Sequence, residues 1–283
     1  MRIRAGVVAT VGLMLVAVLG LVVGKHDWSP DLKLPRPNSR ACTVEADGEV
    51  TLNAEQMAHA ATIAAIGIQA KMPERAVVVA LATALQESKL ENLAGGDRDS
   101  IGLFQQRPSQ GWGTPDEISD PRYAAKKFYA SLKKVRGWEK MRVTDAAQRV
   151  QRSAYPEAYQ KWADESTVLT KALLGNVTGA VSCMVDGEPA MRGAAATEAL
   201  GNGLRLDWGR TETSAQVSGL TVPAANAKAG WRYAHWLVSH ATDHGVKRVR
   251  FAGLEWTADE GAWAKITTPA LSEQVVAEVF AEP

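Results

Sequence analysis

Two apolar helical stretches, one ending at Gln86-Glu87-Ser88 and one opening at Asp120-Pro121, flank a long polar segment. That segment, Asn92 to Ser119, is punctuated by Gly95-Gly96, Gly102, Gly111 and Gly113. A loop of this length inside a compact helical region is uncommon unless it binds something. The helices around it carry their own start signals. Asn53, with Gln56 three positions on, reads as a capping box opening a helix through Ile63 and Ile66 to about Lys71. Pro73 suits the first position of the next helix, which carries Ala76, Val77, Ala80, Leu81, Ala84 and Leu85. Asp120-Pro121 opens a helix to about Val135, Thr144 or Asp145 a short one through Ser153, and Pro156 a last one ending near Gly175. Residues 42–183 are therefore expected to form a mainly α domain.

The composition changes after Cys183. Residues 184–202 are rich in Ala and Gly and read as a linker. Residues 203–283 read as a small α+β domain, with strands near 204–208, 216–222, 246–251 and 262–266. Its helices are expected over 231–244 and 271–280. At the other end, Ala5 to Gly24 is uncharged and follows Arg2 and Arg4. At about 1.5 Å per residue a helix of that length spans roughly a 30 Å hydrocarbon core, so residues 1–24 read as an N-terminal transmembrane helix, a signal-anchor. The basic end stays in the cytoplasm, leaving the rest extracytoplasmic at the cell membrane. A cleaved signal peptide is the alternative, although no small-x-small site follows the run. Residues 25–41, interrupted by Pro30, Pro35 and Pro37, read as a tether.

Bulk chemistry narrows the partners. A net charge of +1 offers nothing to nucleic acid. The nine Trp permit stacking on sugar faces, though Trp packs cores equally well. Cys42 precedes the first folded segment and Cys183 follows the helical stretch, so a disulfide between them would clasp the domain. Free buried thiols are the alternative, less expected outside the cytosol.

The chemistry centres on Glu87. It continues the row Ala76, Val79/Ala80 and Thr83, so it is expected to face the interior, and it sits in the last turn of its helix. Burial and the carbonyl end of a helix both disfavour an ionised carboxylate. A protonated carboxyl is what general acid cleavage of a glycosidic bond requires. An exposed Glu paired with Lys89 or Arg75 is the plainer alternative.

Glu87-Ser88, then Ser100-Ile101-Gly102-Leu103-Phe104-Gln105, then Pro108, resembles the signature of lytic transglycosylases and goose-type lysozymes of the lysozyme-like superfamily. The wider block through Gln106-Arg107-Pro108-Ser109-Gln110-Gly111-Trp112-Gly113 resembles membrane-anchored actinobacterial cell-wall proteins. The resemblance covers about residues 50–175. It implies a lysozyme-like domain, a peptidoglycan glycan strand as substrate, and Glu87 as catalytic acid. Asp97 and Asp99 are the candidate second carboxylates, with loop solvation or Asx-turns as their alternative role. Ser88, Gln105, Gln106, Trp112 and Tyr155 are implied to bind the glycan. Trp112 alternatively anchors its own loop. Tyr155 falls where the family has a Tyr-Asn pair, with Pro156 here in place of the Asn. A catalytically inactive glycan-binding or scaffold protein of the cell envelope is the alternative function.

No cofactor or metal is expected. His240 and His244 have helical ligand spacing, but Ala241 follows His240, so the His-Glu-x-x-His pattern is absent. The segment Trp231 to Trp263 weakly resembles a C-terminal module of other wall proteins, some related to metallo-carboxypeptidases, without their ligand residues. It reads as a non-catalytic module.

Overall fold

The computed structural model describes residues 41–185, 187–209, 213–216, 218–267 and 273–282. The expected signal-anchor over 1–24 and nearly all of the tether lie outside the described residues. The chain enters on a hairpin, β1 (Ala41–Glu45) and β2 (Glu49–Asn53), whose alternation buries Cys42, Val44, Val50 and Leu52. The strand β3 (Val181–Cys183) pairs antiparallel with β1, giving the order β2-β1-β3. Cys42 and Cys183 stand directly opposite and are disulfide-bonded, with Cα atoms 4.0 Å apart. Bonds from Met184 N to Ala41 O and from Glu45 N to Ala180 O make theirs a non-hydrogen-bonded pair. Such pairs are the closer kind, which explains a separation below the usual disulfide range.

Helix α1 (Ala54–Gln69) begins as its capping box requires. Asn53 Oδ1 accepts from Gln56 N at 2.8 Å, and Gln56 Oε1 accepts from Asn53 N at 2.9 Å. It is buried on most sides, through small residues such as Ala60, Ala61, Ala64 and Ala65. That is the mark of a central helix. Around it stand α2 (Glu74–Ser88), the one-turn α3 (Pro115–Ile118), α4 (Pro121–Leu132), α5 (Val143–Gln151) and α6 (Ala163–Leu173). Asp120 caps α4, its carboxylate accepting from Arg122 N at 2.8 Å.

The structure corrects the expected fold class, a mainly α lysozyme-like domain followed by a separate small α+β domain; the transmembrane helix expected before them lies outside the described residues. Strands lie at both ends of the 42–183 stretch, and the described residues hold two antiparallel sheets, one of them six-stranded. No helix among the described residues is long and apolar enough to cross a membrane. Residues 193–202, rich in Ala and Gly, belong to a helix, α7 (Gly193–Trp208), which also takes in the expected strand at 204–208. Its buried residues Ala196, Leu200, Leu204 and Asp207 follow helical spacing. The expected helix over 271–280 is instead β9 (Gln274–Val279), where Val275, Ala277 and Val279 are buried in alternation. The remaining elements are β4 (Ser214–Gln216), β5 (Gly219–Pro223), α8 (Ala227–Ser239), α9 (Ala241–His244), β6 (Val246–Phe251), β7 (Leu254–Thr257) and β8 (Trp263–Lys265). The large sheet runs β4-β5-β9-β6-β7-β8.

The two halves share their interior. α1 packs on α7 and α8 as well as on α2 and α4, and α8 reaches both α6 and the large sheet. Asp207, fully buried, ties three helices to its own: it accepts from Thr62 Oγ1 at 2.9 Å and Trp236 Nε1 at 2.8 Å, and pairs with Arg122. His235, also fully buried, bridges α8 to the first half. Its Nε2 accepts from Ala180 N at 2.9 Å, so its Nδ1–H donates to Ala172 O at 2.7 Å. Desolvation lowers its pKa to about 4. An unfolded His titrates near 6.5, so the unfolded chain takes up the proton first. The stability His235 contributes as a neutral ring is complete above pH ~6.5 and is lost as pH falls towards 4. Thermal melts between pH 7 and 4 are expected to show a falling midpoint, with a flatter slope for His235→Gln. An unchanged slope would remove His235 as a cause.

Candidate functional site

The last turn of α2 presents Glu87, and the way that helix stops decides where the carboxyl goes. Lys89 and Leu90 follow with φ of 58° and 63°, both left-handed, and Leu90 N bonds back to Ala84 O at 3.3 Å. The chain thereby turns sharply and leaves Glu87, half-buried, on the wall of a cleft of about 460 Å³. Ser88 itself is buried and turned away. Its single hydroxyl hydrogen is shared between Leu103 O at 2.8 Å and Ala84 O at 3.1 Å, pinning the polar loop to the helix end. Ser88 therefore holds the cleft together and does not line it.

Glu87 Oε1 accepts from the Tyr159 hydroxyl at 2.7 Å and from Gln151 Nε2 at 3.2 Å. Gln151 Nε2 also donates to Phe104 O at 2.7 Å. Burial first, and then the Glu87 charge beside it, push the Tyr159 phenol well above its ordinary pKa. It therefore keeps its proton and remains a donor. The carboxyl is fixed through one oxygen, and Oε2 has no protein partner among the described residues. Such a group can exchange a proton with a ligand without losing its orientation. Gln151 and Tyr159 were not read from the sequence. Tyr155, which was, is largely exposed on the rim of the same cleft, four residues before the tyrosine that reaches Glu87. Tyr159→Phe is expected to lower any Glu87-dependent rate about tenfold while the fold persists, as checked by turnover beside a thermal melt. An unaltered rate would show that Tyr159 only packs.

The polar loop sorts the remaining candidates. Ile101 and Gln106 pair across a tight turn, and Gly102 at its start has φ +76°, where a Cβ would lie 2.8 Å from Ile118 O. Gln105 and Gln106 both line the cleft, despite alternating along the chain, because Gln105 also takes a left-handed φ of 47°. Gln105 Nε2 donates to Gly102 O at 3.2 Å. Gln106 is 2% exposed; its Nε2 donates to Ala124 O at 3.1 Å, while its Oε1 is buried without a protein partner. An acceptor buried this completely braces the loop from inside, and Gln105 is the glutamine that faces the cleft.

The two aspartates part company. Asp97 lines the cleft, highly exposed, with Arg98 4.0 Å away. Asp99 accepts from Arg107 Nε at 2.7 Å and Ser109 N at 2.8 Å. The Ser109 amide first, then the Arg107 guanidinium, hold its carboxyl well below the usual range. Asp99 is thus a brace between two parts of the loop. Trp112 is half-buried, packed on the core and open to the cleft on its other side. It both anchors the loop and offers a face.

His240 and His244 lie away from this cleft. Their rings are stacked 5.8 Å apart and within 6° of parallel, so their in-plane lone pairs do not converge on one ion. Desolvation lowers the pKa of both. His240 stacks on Trp236 at 4.0 Å and donates to its carbonyl, as part of the buried seam around Asp207. Among the described residues no group of three or more His, Cys, Asp or Glu is placed to hold a metal ion. No protein-family model and no curated protein matches the chain.

Proposed function

We propose that this chain cuts the β-1,4 glycan strands of peptidoglycan, with Glu87 as general acid and then general base, as a lytic transglycosylase. The observation that carries this is the Glu87 carboxyl, held through one oxygen by Tyr159 and Gln151 on the wall of a polar cleft, with its other oxygen unpartnered among the described residues. The resemblance of Glu87-Ser88 and the Gly102-Leu103-Phe104-Gln105 segment to lytic transglycosylases and goose-type lysozymes supports the substrate. Gln105, part-exposed on the cleft wall, is then available to a sugar hydroxyl or N-acetyl group, and Trp112 to a sugar face. The disulfide supports an extracytoplasmic location, where such strands lie.

The transglycosylase outcome is preferred over hydrolysis because Asp99 is consumed by Arg107 and Ser109, and Asp97 is solvated. That leaves one half-buried carboxyl to act twice. It protonates the leaving oxygen, then removes the proton from a sugar hydroxyl that closes on the anomeric carbon. Mass analysis of purified glycan strands incubated with the full chain tests the reading. Fragments with anhydro ends, one water lighter than hydrolytic products, are the expected result. Strands that bind but stay whole would replace it with the glycan-binding reading, and strands that neither bind nor break would remove both.

A further inference from the structure

The cleft of Glu87 does not end at Trp112. Gln110, Trp112, Gln151 and Arg152 line both it and a second arm of about 730 Å³. α4 and the turn after it supply one wall of this arm, with Lys127, Ser131 and Lys134 spaced as one helical stripe. The end of α5 supplies Arg149 and Val150 opposite. Four cations line the arm, Lys127, Lys134, Arg149 and Arg152, and among the described residues no carboxylate does.

None of the four makes an ion pair among the described residues. Elsewhere the chain pairs its arginines closely, as at Arg142, Arg248 and Arg250. A net charge of +1 does not force cations together, and gathering them in one groove costs self-repulsion. The chemistry of the arm also differs from that of the Glu87 cleft. Lysine and arginine donate hydrogen bonds and accept none, so the far end of the arm suits an anion better than a neutral sugar. Arg149 and Arg152 have the planar fork that matches a carboxylate.

We infer that this second arm binds the carboxylates of the peptides carried by the glycan strand, while the sugar chain itself lies along Glu87. The inference rests on the glycan reading of the cleft. Gln151 is the joint between the two, since it lines both arms and touches the Glu87 carboxyl. A strand whose peptide fills the basic arm is thereby brought into register with the acid.

The test measures binding with cleavage switched off. Full-length protein carrying Glu87→Gln is titrated with soluble peptidoglycan strands bearing their peptides and with the same strands stripped of peptide. Peptide-bearing strands are expected to bind about tenfold more tightly, with the advantage shrinking as salt rises. Lys134→Ala with Arg149→Ala, both exposed positions beyond the Glu87 cleft, is expected to erase that advantage, and Lys134→Arg with Arg149→Lys to keep most of it. Equal binding of the two kinds of strand, or an advantage that survives the double alanine variant, would overturn the inference. A peptide preference in Glu87→Gln, together with no cleavage of either strand by the unsubstituted protein, would keep the basic arm and remove the transglycosylase reading.

Discussion

Glu87→Gln is expected to reduce glycan cleavage by roughly a thousandfold, in the middle of the range that general acid–base catalysis contributes. The amide keeps the shape of the side chain and its carbonyl oxygen, which still accepts from Tyr159 and Gln151. It has no proton to give. The melting temperature should therefore remain within a degree or two of the parent, so loss of activity reads as loss of chemistry. Glu87→Ala is the poorer probe. It strands the buried Tyr159 hydroxyl without a partner, at about 1–3 kcal/mol. Wild-type release of fragments by folded Glu87→Gln would end the assignment.

The largest expected effect on stability lies at the other side of the molecule. Asp207→Ala is expected to cost about 3–5 kcal/mol, the range for breaking a buried ion pair by removing one partner. Asp207 is fully buried and meets Arg122, Thr62 and Trp236 at once. Its loss leaves a guanidinium, a hydroxyl and an indole N–H with no common acceptor. In a protein of this size that is a fall in melting temperature on the order of 10 °C. Adding Arg122→Ala should restore part of it, because the stranded charge is then gone. A melt unchanged in Asp207→Ala would show that water replaces the carboxylate at no cost. The same variant probes the seam between the two halves, since Arg122 and Thr62 come from one and Asp207 and Trp236 from the other.

Much of the first half was legible because its signals are local. The Asn53–Gln56 box and the Asp120-Pro121 start lie where their side chains cap the helices, and Glu87 ends its helix as its position implied. Cys42 and Cys183 are bonded as expected. The second half was less legible because short apolar runs fit two periods. Leu204-Arg205-Leu206-Asp207-Trp208 alternates like a strand, yet its buried members continue the helical spacing of Ala196 and Leu200, and the buried one among the polar residues is Asp207. Gln274 to Val279 carries the opposite ambiguity, resolved by β5 and β6 on either side of it. In the site, the cleft loop announced itself, whereas Gln151 and Tyr159 reach Glu87 from α5 and from the turns before α6. That convergence depends on tertiary packing and leaves no spacing to read.

The position of β9 bears on how the large sheet closes. It lies between β5 and β6, both made earlier, and is the strand that joins them. Without Gln274 to Val279, β4-β5 is a hairpin and β6-β7-β8 a three-stranded meander, with nothing to join their inner edges. Such edges pair readily with other chains. The helical body and the strands that carry Cys42 and Cys183 precede β9 in the chain and need nothing from it for their own first contacts. A chain that lacks Gln274 to Val279 would therefore present an ordered body beside two unpaired sheet edges, open to any strand that can fill the place of β9.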